Sequence, residues 1–280
     1  MWQGLWPELP EQEIPIGHVT NGVHFTTWIG EEMGQLLDFY LGARWRKNQD
    51  RAEIWERVED IPEGELWQAH EKQRERLIKE VRRRLASRLE GRGAPAQEVT
   101  QARSFLHPRV LTIGFARRFA AYKRPTLLLH DLERLIRLVN HPQMPVQIIY
   151  AGKAHPRDEE GKRLIQQIVA ASQRPELKGR LISLEDYDME LAKLMVQGVD
   201  LWLANPRRPL EACSTSGMKA VLNGSLFMST LDGWWDEAWN PEAGWAIGRG
   251  GGAPRSPLPR RGRGRTPVRS PGERSGSPVL

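Results

Sequence analysis

Four basic side chains, Arg117, Arg118, Lys123 and Arg124, crowd residues 114–125, directly after an apolar run and just before a segment with helical spacing. Cations beside a helix N-terminus oppose its dipole unless an anion sits between them. A bound phosphate would resolve that conflict; a solvated basic loop is the plainer reading. A second stretch, Asn-Pro-Arg-Arg-Pro-Leu-Glu-Ala-Cys-Ser-Thr-Ser-Gly-Met-Lys over residues 205–219, sets Glu211 ahead of Cys213, Ser214, Thr215 and Ser216. Small hydroxylic residues leave backbone N–H groups open to an anion. Lys219 follows among Gly217, Met218, Ala220 and Val221. Apolar surroundings desolvate an amine, lower its pKa and favour its attack on a carbonyl. A buried lysine also requires a covalent or ionic partner. From these residues alone, a surface lysine is the competing reading.

Two weaker signals accompany these. Gly152 follows an apolar run and permits close approach of a ligand. Trp234 and Trp235 follow another, where they could wall a pocket or fill a core. Cys213 is a poor nucleophile candidate, since no histidine lies near it in sequence.

The elements that must position these residues alternate in type. Apolar runs at 110–115, 146–151, 180–184, 200–204 and 225–230 read as strands. Helical spacing at 125–139, 158–172, 188–197 and from Gly217 to Asn223 separates them. This alternation predicts an α/β fold with a Rossmann-like parallel sheet and helices on both faces. In such sheets ligands sit beyond the carboxyl ends of the strands, where the basic and hydroxylic stretches fall. Residues 63–90 predict one long helix with Leu66, Ala69, Leu77, Val81, Leu85 and Leu89 on its buried face. Residues 23–28 fit either a short strand or the lead into a helix.

Composition bounds the class. Hydrophobic residues make up 39% of the 280 and charged residues 27%, enough for one sizeable core. No apolar run reaches membrane-spanning length, and the first residues lack a signal-peptide pattern. One cysteine excludes an internal disulfide and any cysteine framework for a metal; a reducing, cytoplasmic location is the default. Of the net charge of +6, residues 249–280 supply +7 through eight arginines and one acid, leaving −1 for residues 1–248. The high isoelectric point therefore belongs to a Gly/Pro/Arg-rich end segment, expected to be disordered, and does not argue for specific nucleic-acid binding by the fold.

Six blocks resemble the glycogen/α-glucan phosphorylase family in its short bacterial and archaeal form: GHVTNGVHFTTW (17–28), TIGFARRFAAYKR (112–124), IIYAGKAHP (148–156), LEDYDMELAKLMVQGVDLWLANPRRPLEA (184–212), TSGMKAVLNGSL (215–226) and LDGWWDEAWN (231–240). They stand in family order. The resemblance implies two Rossmann-like domains facing across a cleft, of which this chain would carry the end of the first with a glucose-binding loop (1–30), a helical linker region (31–107) and a truncated cofactor- and phosphate-binding domain (108–248). It implies phosphorolysis of α-1,4-glucans (glycogen, maltodextrin) by inorganic phosphate to α-glucose 1-phosphate, with pyridoxal 5′-phosphate as cofactor, allosteric relatives and homo-oligomers among full-length members. Residue by residue, Lys219 matches the Schiff-base lysine. Arg117, with the backbone at Thr215 and Ser216, matches the cofactor-phosphate site, and Tyr187 and Trp28 the packing around the cofactor. Arg118 and Lys123 match the substrate-phosphate site, and Asn21, Glu211, Cys213 and Ser214 the sugar site. The family usually has Ala-Ser-Gly-Thr where this chain has Ala212-Cys213-Ser214-Thr215, so a thiol replaces a hydroxyl and a side chain appears where backbone approaches ligand. The end segment has the composition of a shifted reading frame, and a premature end is the expectation it raises. A sugar-nucleotide glycosyltransferase of the glycogen synthase type and a non-catalytic remnant are the alternatives; a nucleotide-dependent enzyme has no need of Lys219.

Overall fold

The structure, a computed structural model, describes residues 3–10 and 13–248. The basic segment 249–280, with its expected disorder, lies outside the described residues. The chain runs through α1 (Phe25–Trp28), α2 (Glu31–Leu41), α3 (Ala52–Trp55), α4 (Glu63–Gly91) and α5 (Ala96–Ala102) before its first strand. Strands and helices then alternate: β1 (Leu111–Ala116), α6 (Leu132–Val139), β2 (Val146–Ala151), α7 (Glu159–Ser172), β3 (Leu181–Leu184), α8 (Met189–Gly198), β4 (Leu201–Ala204), α9 (Thr215–Val221), β5 (Leu226–Thr230), α10 (Trp234–Ala238) and β6 (Gly244–Ile247). The six strands form one sheet in the order β3-β2-β1-β4-β5-β6, and every pairing is parallel. The strand order reverses between β1 and β4. That crevice is where doubly wound sheets bind ligands.

Local chemistry explains most boundaries. Asp131, Asp158 and Asp188 each cap a helix by accepting from a backbone N–H, of Arg134, Gly161 and Leu191. The Asp131 cap corrects the helix expected from Pro125: residues 127–129 form a 3-10 turn and α6 opens only at Leu132. The helix expected from Gly217 opens two residues earlier, at Thr215. Residues 25–28 resolve as helix rather than strand. β6 is a strand the periodicity does not predict, being four residues long with a glycine at its head. Gly244 (φ 151°) is required there, since a Cβ would meet the Phe227 carbonyl oxygen at 2.3 Å.

Period-two alternation splits the strand side chains between two cores. Ile148 and Tyr150 pack with Leu135, Val139 and Ile168 on the α6–α7 face. Ile149 and Ala151 pack with Leu77, Val81, Leu191, Met195 and Trp202 on the α4–α8 face. Each fully buried aliphatic side chain of this kind contributes about 2 kcal/mol. The long helix α4 forms over the span its sequence predicts, but its buried face is partly polar: His70, Gln73 and Arg74 are buried, while Leu66 is exposed. Arg74 and His70 both reach Asp200 at the start of β4, and Asp200 also accepts from the Thr112 N–H at 2.7 Å. This cluster locks α4 beneath the sheet. Among the described residues no helix is long and apolar enough to cross a membrane.

Candidate functional site

The loop after β1 carries Arg117, Arg118 and Lys123. It is held down by backbone: the Arg117 N–H donates to Ala151 O at 3.3 Å and the Phe119 N–H to Lys153 O at 2.9 Å. Gly152 serves that approach. Its φ is 146°, and a Cβ there would meet the Arg117 carbonyl oxygen at 2.0 Å. The close approach expected at Gly152 is thus made by the chain itself. The loop after β4 is laced to the same place. Arg124 donates to the carbonyls of Asn205 and Pro206, Asn205 Nδ2 donates back to Arg124 O, and the Arg207 N–H donates to Tyr122 O.

These two loops bring Glu211 between two cations. Arg117 Nη2 lies 2.6 Å from Glu211 Oε1, and Lys123 Nζ lies 2.9 Å from Oε2. The three side chains are 4%, 7% and 10% exposed for Arg117, Glu211 and Lys123, so this is a buried triad carrying one net positive charge. Burial pushes the Arg117 guanidinium below its ordinary value, against the pull of Glu211. Arg117 Nη1 is buried and has no hydrogen-bond partner among the described residues. A buried donor without a partner is costly, and an anion or hydroxyl oxygen would satisfy it. The Glu211 backbone is fixed in turn by Asp232, whose Oδ2 accepts its N–H at 2.9 Å. The sequence places Asp232 in the block 231–240 and gives it no role of its own; only the fold brings it to Glu211.

A cavity of about 370 Å³ opens here. Asn21, Arg118, Cys213, Ser214, Thr215 and Ser216 line it together with the triad. Arg118 is exposed and has no ion-pair partner among the described residues. Cys213 is buried, and burial raises its thiol pKa, which suits a lining residue rather than a nucleophile. Its thiol lies 3.9 Å from the Asn21 carbonyl oxygen.

Lys219, Trp28 and Tyr187 do not line this cavity. Lys219 lies four residues after Thr215, hence one turn on and on the same face of α9. Its amine is half-buried under the Trp28 indole, Nζ standing 3.7 Å from the ring centroid. Desolvation lowers its pKa, and among the described residues it has no ion-pair partner. Trp28 and Tyr187 both pack against the α4–α8 core, and burial pushes the Tyr187 hydroxyl up to about 12.

A family model described as carbohydrate phosphorylase matches residues 10–237. The chain belongs to the carbohydrate phosphorylase family. It is 49% identical over 250 residues to the maltodextrin phosphorylase of Thermococcus litoralis, a match covering 89% of this chain and 29% of that protein. It is likewise 49% identical over 248 residues to the glycogen phosphorylase of Aquifex aeolicus, covering 89% of this chain and 35% of that one. With the glycogen phosphorylase of Mycobacterium tuberculosis the identity is 44% over 247 residues. The chain spans about a third of the length of these curated relatives.

Within this phosphorylase-family chain, Ser214 stands where the resemblance implies a glycine. Its backbone is left-handed (φ 70°, ψ 51°), a conformation glycine adopts freely and other residues adopt at a cost. Its hydroxyl offsets that cost by accepting from Arg117 Nη2 at 3.0 Å. Ser214→Ala, which loses the bond and keeps the strain, is expected to be about 1 kcal/mol less stable than Ser214→Gly, which loses the bond and releases the strain. Urea midpoints of the two variants check this ordering.

The paired tryptophans resolve as core. Trp235 is buried, Trp234 stacks on Phe227 with centroids 5.4 Å apart, and neither lines the cavity.

Proposed function

We propose that this chain is the cofactor- and phosphate-binding portion of an α-1,4-glucan phosphorylase, acting on glycogen or maltodextrin with inorganic phosphate to release α-glucose 1-phosphate. The observation that carries the reading is convergence: the cations of the β1 loop and the first turn of α9 face one cavity, and a half-buried amine, unpaired among the described residues, stands one turn further along that helix. In this reading the sheet is one of two Rossmann-like halves of a glycosyltransferase-type architecture.

The residues present fit pyridoxal 5′-phosphate. Lys219 would hold its aldehyde carbon, because desolvation keeps a larger share of the amine neutral and nucleophilic. Arg117, with its unsatisfied Nη1, and the backbone at Thr215 and Ser216 would hold its phosphate. Trp28 and Tyr187 would enclose it. When bound, the cofactor supplies a phosphate group as acid/base partner for the substrate phosphate.

The chain's own residues do the rest. Arg118, exposed and unpaired, takes the incoming phosphate, and Lys123 joins it at the cavity wall. Two phosphates repel at close range, and preorganised cations make their approach affordable. Glu211, held by Asp232 through its backbone, sets the spacing of Arg117 and Lys123 and presents a carboxylate to sugar hydroxyls beside Asn21, Cys213 and Ser214. That role is positional, so no second carboxylate is needed for acid catalysis.

Orthophosphate at millimolar concentration is expected to raise the thermal midpoint of the chain, and Arg118→Ala to remove most of that rise. If a sugar nucleotide raised the midpoint and orthophosphate did not, the glycosyltransferase reading would replace this one.

A further inference from the structure

Asn223 is fully buried two residues beyond the end of α9, and each polar atom of its side chain is used. Its Oδ1 accepts the Gly30 N–H at 2.6 Å. Its Nδ2 donates to the Trp28 carbonyl at 3.0 Å and to the Lys219 carbonyl at 2.8 Å. Its own carbonyl accepts from Gln73 and from the His70 ring on α4. One residue therefore ties together residues 28–30, the Lys219 helix and the long helix beneath the sheet, the last through its backbone carbonyl. A second contact supports the clamp: Gln197 Nε2 donates to the Trp28 carbonyl at 3.3 Å. The clamped segment is also pressed close to α4, because a Cβ on Gly30 would meet Gln73 Oε1 at 1.8 Å.

We propose that Asn223 is a positioning residue that fixes the Trp28 indole over the Lys219 amine. The proposal rests on the reading of Lys219 as the cofactor lysine only for its purpose, since the clamp itself is a property of the chain alone. Trp28 and Lys219 are 191 positions apart in sequence, on segments with no other direct bond between their backbones among the described residues. With the backbone carbonyl of Trp28 held by two hydrogen bonds, the indole it carries keeps a fixed register on the amine; the same indole on a loose segment does not. A fixed lid would leave the amine accessible along one direction, so that a carbonyl ligand meets it in one orientation. The place uses one acceptor and two donors, the full inventory of a side-chain amide, at the reach of an asparagine.

The test uses the full chain without added cofactor. Each lysine is acetylated in a short pulse of acetic anhydride and quantified by peptide mass spectrometry, with the exposed Lys79 as internal reference. Trp28→Ala, which removes the indole over the amine and leaves the bonds to the residue 28 carbonyl in place, is expected to speed Lys219 acetylation about tenfold relative to Lys79. Asn223→Asp keeps the acceptor for Gly30 but removes both donors, and is expected to give most of the same rise. Trp28→Ala with Asn223→Asp should add nothing beyond Trp28→Ala, because both act through one contact. A natively folded Asn223→Asp chain with wild-type Lys219 acetylation, or a double variant showing the product of the two rises, would overturn the proposal. Hydrogen exchange on the unmodified chain tests it even if that variant does not fold: the Gly30 amide should be as protected as amides inside α8, and a freely exchanging Gly30 amide contradicts the clamp. Neither readout involves pyridoxal phosphate, so failure of cofactor binding and failure of the clamp are separately visible.

Discussion

Glu211→Gln is expected to destabilise the chain by about 3–5 kcal/mol, a fall in thermal midpoint on the order of 10 °C for a domain of this size. The substitution keeps the shape of the side chain and removes its charge. Arg117 and Lys123, both buried against Glu211, would then stand as two uncompensated cations. Scanning calorimetry measures the loss. The same variant carries a second expectation: orthophosphate should recover more stability in Glu211→Gln than in the parent, because an anion in the cavity replaces the missing charge. A midpoint within 2 °C of the parent, on the order of 0.5–1 kcal/mol for a chain of this size, would show that the triad is hydrated rather than buried.

Asp200→Asn is expected to cost on the order of 3 kcal/mol, measured by urea unfolding. Asp200 accepts from His70, from Arg74 and from the Thr112 N–H, and Arg74 is almost wholly buried. Neutralising the carboxylate leaves that guanidinium only Glu71, at 3.7 Å, as a charged partner, at the contact that locks α4 to β1 and β4. Burial works to raise the pKa of Asp200, but the hydrogen bonds from His70 and Thr112 and the charge of Arg74 outweigh it, and the folded value lies below the ordinary 3.8. A carboxylate depressed on folding contributes stability that is complete above its unfolded pKa and is lost as pH falls through the folded value. The parent should therefore lose stability below about pH 4 more steeply than Asp200→Asn does, since the variant has no such carboxylate to protonate.

Periodicity located five of the six strands and the helices between them, because a buried parallel strand is a short apolar run and a covering helix an amphipathic one. β6 escaped because four residues headed by glycine carry too little pattern. The start of α6 escaped because Asp131, and not Pro125, supplies the cap. At the site, charge density after β1 and small residues before Lys219 were visible as local composition. The pairing of Glu211 with Arg117 and Lys123 was not, since it joins residues about ninety positions apart and depends on the register of β1 with β4. The buried polar face of α4 was hidden for a similar reason: His70, Gln73 and Arg74 carry no apolar signal, and Asp200 and Asn223 meet them only in the fold. Gly152 was legible as a close approach, but what approaches it is Arg117, through a contact only the fold reveals.

Lys219 is proposed as the cofactor lysine of a phosphorylase site. The most direct measurement incubates the chain with pyridoxal 5′-phosphate, reduces with borohydride and maps the adduct by mass spectrometry, beside a Lys219→Ala control. A single reduced adduct at Lys219, absent from the control, is the predicted result. No adduct, or labelling spread over surface lysines and unchanged in Lys219→Ala, would contradict it.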